Sequence, residues 1–290
     1  MSILTAIILG IIQGLTEFLP ISSSGHLVLF QKLFGISESS LLFSTMLHAG
    51  TLAAVCMVLW RDIKAILCHL IQPLTLYLLI ATVPLVLCVL LFDDLIENIF
   101  QTGQFLGFAF VLTAILLAAA QIVSQKNKNQ ELAAEKQKTM SWKDALFIGL
   151  IQVIAIIPGV SRSGATISGA LFRKIDRDLA ARFSFLLSIP AILGALLFQI
   201  INLIKNESGK VIDDAINAAS GNMAETALQN SSISAWAIIA GTLSAAIVGF
   251  FAVRFMLKII REKSLWGFVI YTSALGIFIL LDQFWLHLLF

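Results

Sequence analysis

Six long apolar stretches constrain the fold of this chain more than any other feature of its sequence. A helix needs about 20 mostly apolar residues to cross the hydrocarbon core of a bilayer. The stretches that reach this length are residues 41–60, 74–92, 104–124, 183–204, 233–253 and 265–281. The sequence therefore predicts an all-α polytopic membrane protein with six transmembrane helices. Pro84 and Pro190 lie inside two of them and predict kinks.

The composition excludes soluble classes of protein. Of the 290 residues, 59% are hydrophobic and only 12% are charged, whereas an ordinary soluble domain is about 25% charged. So few polar groups cannot cover a water-facing surface, and a nucleic-acid binder would need a basic face. Hence we expect the membrane as a partner and no nucleic acid. The three cysteines lack the CxxC spacing of metal or redox sites, so we interpret them as apolar filling.

Two further segments, residues 3–33 and 142–173, are apolar but are interrupted at their centres by proline, glycine and serine. A short apolar helix, a polar break and a second short helix are typical of a re-entrant hairpin. Irregular backbone at membrane depth is tolerated only where protein or a wet cavity satisfies its polar groups. Each break is therefore a candidate functional site.

The two hairpin segments resemble each other, which indicates an internal duplication. Shifting the chain by 139 residues aligns five identical pairs, which are Gly10 with Gly149, Gln13 with Gln152, Ser22 with Ser161, Ser24 with Ser163, and Gly25 with Gly164. We therefore predict one membrane domain, residues 1–290, in two halves. Residues 1–124 and 142–290 each hold one hairpin and three spans, and residues 125–141 form the loop between them.

The basic residues predict the topology, because loops on the cytoplasmic side collect lysine and arginine. Threading the six spans alternately places 15 of the 19 basic residues on one side. These are Arg61, Lys64, Lys126, Lys128, Lys136, Lys138, Lys143, Arg173, Lys174, Arg177, Arg182, Arg254, Lys258, Arg261 and Lys263. The loop 125–141 is then cytoplasmic, and the two hairpins enter from opposite sides. This is an inverted-topology repeat, as in many transporter folds.

Only two charged residues lie deep in the hairpins, Glu17 and Arg162, and charges at membrane depth are usually functional. Glycines around Arg162 let backbone amides approach an anion, and Ser161 or Ser163 can cap the following helix. The arginine fork fits phosphate oxygens. We predict an anion clamp; the alternative is a plain serine cap beside an arginine that reaches the headgroups.

The first hairpin carries the other reactive groups. Gln13 and Glu17 are four residues apart and so share one helix face, where they suit a divalent cation, or a base with an orienting partner. Alternatively, Glu17 is a buried acid paired with Arg162. His26 is either reactive or a histidine at a helix start that bonds the backbone. His48 lies in an apolar span, where a satisfied core histidine is the simpler interpretation.

Residues 13–26, Gln-Gly-Leu-Thr-Glu-Phe-Leu-Pro-Ile-Ser-Ser-Ser-Gly-His, together with residues 158–164, Pro-Gly-Val-Ser-Arg-Ser-Gly, resemble the bacterial undecaprenyl-diphosphatase family of the bacitracin-resistance type. The resemblance covers essentially the whole chain. It implies an integral enzyme of the bacterial plasma membrane that removes the terminal phosphate of undecaprenyl diphosphate. The products are phosphate and undecaprenyl phosphate, the lipid carrier of peptidoglycan precursors. The implied active site faces the outer side of the membrane.

The resemblance also implies roles for individual residues. The implied catalytic set is Glu17, Ser23, His26 and Arg162. From the glycines and serines of the two breaks themselves, we predict a phosphate-binding set of Ser24, Gly25, Ser161, Ser163, Gly164 and Thr166. Glu17 and Gln13 would hold a divalent cation, Mg²⁺ or Ca²⁺, although some members carry glutamate at the position of Gln13. Thr166 either binds the anion or bonds its own helix. The nucleophile is His26, a serine (Ser23 or Ser24), or water.

The expected partner is a long-chain isoprenoid diphosphate lipid, and a homodimer is the candidate assembly. A second function fits the same features, because inverted repeats, broken helices and a midplane anion site are also transporter features. The alternative is therefore a carrier or flippase for polyprenyl phosphate. A transporter has less use for an unpaired set of Glu17 and His26 at one hairpin, so we favour the phosphatase.

Overall fold

The computed structural model describes residues 1–36, 41–102, 105–131, 139–219 and 233–288. The regular elements in these ranges are all helical. They are α1 (Ile3–Thr16), α2 (Ser23–Leu33), α3 (Leu41–Val58), α4 (Trp60–Cys68), α5 (Pro73–Thr102), α6 (Leu106–Glu131), α7 (Trp142–Ile154), α8 (Arg162–Phe172), α9 (Arg177–Ala219), α10 (Ala235–Glu262) and α11 (Trp266–Leu281). A π-helical turn, Asp282–Leu286, follows α11.

Five helical segments in the described residues are long and apolar enough to cross a membrane. They are Pro73–Phe92, Leu106–Lys126, Arg177–Phe198, Ala235–Glu262 and Trp266–Leu286. The remaining predicted span, residues 41–60, is bent, because α3 and α4 meet at an angle of 79°. The chain is therefore an all-helical multi-pass membrane protein with five candidate spans, or six when the bent pair counts as one.

Several helices extend beyond the predicted spans. The linker between the predicted spans 183–204 and 233–253 begins as helix, because α9 continues to Ala219, and α6 continues to Glu131 inside the loop predicted at 125–141. Both extensions lack proline and contain residues that tolerate a helix in water. The rest of these loops, 132–138 and 220–232, lies outside the described residues.

The two prolines do not end their helices. Helix α5 runs through Pro84 and α9 runs through Pro190. The non-helical backbone within α5 is instead at Phe92, with φ −130° and ψ 26°. The break in α5 therefore lies at the end of its apolar stretch and not at the proline.

The segments predicted as hairpins are two pairs of short helices, α1 with α2 and α7 with α8. Each helix has 11 to 14 residues, which is too short to cross a bilayer. The second helix of each pair begins with the same cap. The Ser22 hydroxyl accepts a hydrogen bond from the amide of Gly25, and the Ser161 hydroxyl accepts one from the amide of Gly164. These residues are repeat equivalents, so the duplicated motif produces the same local structure twice.

The two halves exchange packing partners. Helix α1 packs along α10, and α7 packs along α5, so each short helix contacts a long helix of the opposite half. Both crossings are close at equivalent glycines. A Cβ at Gly10 would clash with the carbonyl of Gly241, and one at Gly149 would lie 2.5 Å from the carbonyl oxygen of Ala81. The equivalent contacts explain why these two glycines match in the repeat.

Aromatic packing positions the break between α1 and α2. Phe18 is fully buried and meets Phe185 of α9 edge to face, with 5.5 Å between ring centroids. Both phenylalanines belong to the main apolar cluster, which also includes residues of α7 and α8. Glu17, which precedes Phe18, is therefore held between the two pairs of short helices, α1 with α2 and α7 with α8.

We predict that Gly149→Ala lowers the melting temperature of the purified protein in detergent. The added methyl group meets the backbone of α5 at Ala81, and forcing extra atoms into a packed interface costs about 1–3 kcal/mol. The control is Gly194→Ala in α9, where no atom lies within 4 Å of the added Cβ. That change should leave the melting temperature equal or higher, and equal effects of the two substitutions would contradict the close crossing.

Candidate active site

A buried ion pair joins the two breaks. Glu17, directly after α1, accepts a hydrogen bond on Oε1 from Nη2 of Arg162 at 2.6 Å. The Glu17 side chain is 4% exposed and that of Arg162 is 17% exposed. The structure therefore brings together the two charges that the sequence singled out, although 145 residues separate them along the chain.

The second oxygen of Glu17 is held by the first hairpin. Oε2 accepts from the hydroxyl of Ser23 at 2.6 Å and from Nε2 of Gln13 at 2.9 Å. Gln13 lies one turn earlier on α1, so the predicted shared helix face is confirmed. Together with Arg162, these donors stabilise the ionised carboxylate, because charge-assisted hydrogen bonds are the strong ones.

His48 of α3 also belongs to this polar cluster. Its Nδ1 lies 2.9 Å from Nε2 of Gln13 and 3.6 Å from Oε2 of Glu17. The amide can donate to Nδ1 while its other hydrogen points to Glu17. The side chain of His48 is 27% exposed, so it lines the cluster and is not a histidine of the apolar core. In the sequence, the one feature that marked His48 was its polarity within an apolar span.

Hydrogen bonds from the serines hold the two breaks against each other. The Ser24 hydroxyl accepts from the amide of Gly159 at 3.3 Å, and the Ser163 hydroxyl donates to the carbonyl of Leu19 at 3.0 Å. The amide of Ser161 donates to the Thr113 hydroxyl of α6 at 3.1 Å. Ser24 and Ser163, predicted as phosphate ligands, thus bond across between the two breaks, whereas Ser161 bonds the second break to α6.

The remaining predicted ligands, Gly25, Gly164 and Thr166, are in close contact with other groups of the protein. A Cβ at Gly25 would lie 2.6 Å from the ring of Phe110, and one at Gly164 would lie 3.1 Å from Ser161. The Thr166 hydroxyl donates to the carbonyl of Arg162 at 2.9 Å and lies 2.6 Å from the Ser184 hydroxyl. For Thr166 the contacts favour bonding to its own helix over binding the anion.

His26 is fixed by two partners. Its Nδ1 lies 2.7 Å from the carbonyl of Ser22, and its Nε2 lies 2.7 Å from the hydroxyl of Tyr271 in α11. A carbonyl can only accept, so Nδ1 carries a proton and Nε2 of the neutral ring accepts from the tyrosine. The ring also stacks on Tyr271 and is 3% exposed. Sequence reasoning missed Tyr271, since nothing distinguishes it from other aromatic residues in a span.

The geometry around Ser23 suits nucleophilic catalysis. A hydroxyl within hydrogen-bond reach of a base, with that base oriented by a third group, is the signature of an activated nucleophile. Here Ser23 supplies the hydroxyl, Glu17 is the base, and Arg162 orients that base. Ser23 and Arg162 are partly exposed while Glu17 is buried, so a ligand can reach the hydroxyl and the guanidinium. The cluster can thus bind an anion and attack it.

The oxygen atoms of Gln13 and Glu17 fit a divalent cation whose other ligands are phosphate oxygens of a substrate. Its Oε1 is buried without a hydrogen-bond partner among the described residues, and Glu17 lies beside it. In the part of the chain that the structure describes, no three His, Cys, Asp or Glu side chains gather as a metal cage. Mg²⁺ often needs only one or two carboxylates when phosphates of a substrate complete its ligands.

The family model described as bacitracin resistance protein BacA matches residues 6–278 of this chain, which include both helix breaks. The chain belongs to this family. It is 42% identical over 284 residues to undecaprenyl-diphosphatase 3 of Bacillus cereus, with 98% of each chain covered. The undecaprenyl-diphosphatase of Carboxydothermus hydrogenoformans is 41% identical, with 96% of each chain covered. That of Halothermothrix orenii is 40% identical and covers 97% of this chain and 98% of its own.

We predict a strong coupling between Glu17 and Arg162 in stability. Arg162→Ala leaves a buried carboxylate without its partner, which typically costs about 3–5 kcal/mol. Adding Glu17→Gln removes that charge, so the double variant should be more stable than the sum of the two single losses predicts. Melting temperatures of the four proteins in detergent give the coupling.

The control for this cycle is the pair Asp62 and Arg182. These side chains are 3.3 Å apart but 30% and 43% exposed, so their coupling should be about 0–1 kcal/mol. Equal couplings for the buried and exposed pairs would contradict the assigned burial of Glu17.

Proposed function

We propose that this protein is an integral membrane phosphatase that hydrolyses undecaprenyl diphosphate to undecaprenyl phosphate and inorganic phosphate. The observation that carries the proposal is the cluster of Glu17, Arg162 and Ser23, formed where the two short helix pairs break. The relatives, named undecaprenyl-diphosphatases, match the chain across this whole region. The reaction recycles the lipid carrier for peptidoglycan synthesis, which connects the activity to bacitracin resistance and cell-wall growth.

Arg162 binds the terminal phosphate. Its Nη2 is used by Glu17, while the rest of its planar fork can donate to phosphate oxygens. Phosphoryl transfer depends mostly on positioning and on stabilising charge in a site that excludes water. Because Glu17 holds the guanidinium in place before the substrate arrives, little reorganisation is needed during the reaction.

Ser23 is the nucleophile that the geometry favours. Its hydroxyl oxygen attacks the terminal phosphorus, the bond from that phosphorus to the bridging oxygen breaks, and undecaprenyl phosphate leaves. The proton of Ser23 passes to Oε2 of Glu17, 2.6 Å away. Water then hydrolyses the phosphoserine, which releases inorganic phosphate and restores the hydroxyl. His26, with both ring nitrogens bonded, positions the start of α2 and is not free to attack.

A divalent cation, Mg²⁺ or Ca²⁺, would be held by Gln13 and Glu17 together with the diphosphate. The buried Oε1 of Gln13 and its place beside Glu17 support this assignment. When bound, the ion would neutralise charge on the diphosphate. Because position 13 is glutamine, Glu17 supplies the single carboxylate among these ligands.

We infer that the two short helix pairs are re-entrant hairpins in an inverted repeat with six spans. Their length, their equivalent serine caps and the exchange of packing partners between the halves support this topology. The distribution of basic residues predicts a cytoplasmic position for the loop 125–141, and, as the family resemblance implies, the active site faces the outer side of a bacterial plasma membrane. The homodimer stays a prediction.

A carrier for polyprenyl phosphate remains the second candidate, because the exchanged packing of the halves is also a transporter feature. The asymmetry of the cluster favours the phosphatase. At the repeat equivalents of Glu17 and His26 the chain has Ile156 and Ala165, while the amide of Gln13 is kept as Gln152. Phosphate release in detergent, where no transport across a membrane can occur, separates the two functions.

We predict that Ser23→Ala, Glu17→Gln and Arg162→Ala each lower phosphate release from undecaprenyl diphosphate by about 100-fold or more, as for the loss of one donor to a reacting oxyanion. The assay uses purified protein in detergent, with and without EDTA. The control is Arg61→Gln, an exposed basic residue of α4, which should keep the activity. Near-normal release by Arg162→Ala would contradict the clamp, and near-normal release by Ser23→Ala would contradict Ser23 as the nucleophile.

We predict opposite labelling of two serines that flank α10. Ser234 lies before this helix and makes no cap hydrogen bond, while Ser264 lies after it, and both are exposed. In a cysteine-free background, Ser234→Cys should react with an impermeant thiol reagent in intact cells, and Ser264→Cys should react only after lysis. The reverse pattern would overturn the orientation, and labelling of both from outside would overturn the span.

A further inference from the structure

A second polar cavity lies away from the active site. It has a volume of about 360 Å³ and sits between the ends of α6, α8 and α10 and the start of α9. None of the residues in the Glu17 cluster lines it. The cavity is therefore a separate site, and its properties do not depend on the phosphatase assignment.

Positive charge dominates the lining of this cavity. Four basic residues line it, Lys174, Arg177, Arg261 and Lys263, against two acidic ones, Asp176 and Glu262. The carboxylate of Asp176 already accepts the amides of Asp178 and Leu179 at the start of α9. The excess of cations favours an anionic ligand.

The Arg177 side chain lines the cavity and joins the surrounding helices by hydrogen bonds. It donates to the Ser124 hydroxyl and the Gln121 side chain of α6, and to the carbonyls of Ile260 and Lys263. The side chain of Gln121 also accepts from the amide of Leu265. These bonds connect α6, α9 and the end of α10 without using either lysine ammonium.

The ammonium groups of Lys174 and Lys263 are available for a ligand. Neither makes a hydrogen bond or an ion pair within the ranges that the structure describes. Arg261 differs, since its guanidinium lies 4.0 Å from Asp178. Two unpaired cations at one cavity are the pattern that a phosphate group would complete.

The backbone of Lys174 adds an independent observation. The amide of Ile175 bonds the carbonyl of Ala170, and that of Lys174 bonds the carbonyl of Leu171, which together form a Schellman motif at the end of α8. Its left-handed position usually holds glycine, but here it holds Lys174 with φ 60°. A side chain in this conformation is strained, so the lysine is present despite a local cost.

The cavity lies at a membrane boundary. Four candidate spans have an end beside it, Leu106–Lys126, Arg177–Phe198, Ala235–Glu262 and Trp266–Leu286. Apolar side chains next to it face outward, with Ile122 56% and Trp266 39% exposed. Basic pockets between membrane helices on the cytoplasmic side bind anionic headgroups, and tryptophan favours the interface.

We propose that this cavity binds the phosphate headgroup of an anionic phospholipid, with Lys174 and Lys263 as its ligands. The acyl chains extend along the exposed apolar surface near Ile122 and Trp266. Dissolved phosphate offers the same chemistry without the chains, and the apolar surface beside the cavity favours the lipid.

The test measures retention of phosphatidylglycerol and of phosphatidylcholine by the full-length protein in detergent, with native mass spectrometry. The cavity variant combines Lys174→Gly with Lys263→Gln, and the glycine relieves backbone strain, so the fold should persist. The matched control combines Arg61→Gln with Lys64→Gln, which removes the same charge from exposed positions on α4. Melting temperatures of both variants check folding.

We expect the cavity variant to retain at least fivefold less phosphatidylglycerol than the wild type. The control variant should retain an amount within twofold of the wild type. All three proteins should retain the same amount of phosphatidylcholine. Equal retention by the cavity variant and the wild type would overturn the proposal. Displacement of the lipid by millimolar inorganic phosphate would also overturn it, because the site would then be one for an aqueous anion.

Discussion

The buried contact between Glu17 and Arg162 is the interaction on which the rest of the site depends. Both side chains are largely buried in the protein, and removing one partner of such a pair costs about 3–5 kcal/mol. The contact requires that two breaks 145 residues apart along the chain meet. In the proposed mechanism it also orients the guanidinium for an anion and the carboxylate for the Ser23 hydroxyl.

Equivalent contacts in the two short helix pairs position the Glu17–Arg162 ion pair. Equivalent glycines, Gly10 and Gly149, let each short first helix lie against a long helix of the other half. Equivalent serine caps begin each short second helix, and the hydroxyls of Ser24 and Ser163 bond across to the opposite break. These contacts occur in both short helix pairs, whereas Glu17 and His26 have no counterparts, because the equivalent positions are Ile156 and Ala165.

Much of this site could be predicted from the sequence. Charges are rare in apolar segments, so Glu17 and Arg162 were conspicuous, and the spacing of Gln13 from Glu17 places them on one helix face. Contacts between distant elements could not be predicted this way. Tyr271 bonds His26 across 245 positions, and His48 joins the cluster only because α3 packs beside α1. The 79° bend between α3 and α4 lies at Leu59, where Arg61, Asp62 and Lys64 follow the apolar stretch; these charges mark the end of the span but do not determine the angle.

The most direct test of this account is an experimental structure with a non-hydrolysable isoprenoid diphosphate analogue. The account predicts that the terminal phosphonate lies within hydrogen-bond distance of the Arg162 guanidinium and that its phosphorus faces the Ser23 oxygen, with the isoprenoid chain leaving between helices. A diphosphate bound elsewhere, with Glu17 and Arg162 still paired and covered by protein, would contradict the central claim and leave the ion pair a structural feature alone.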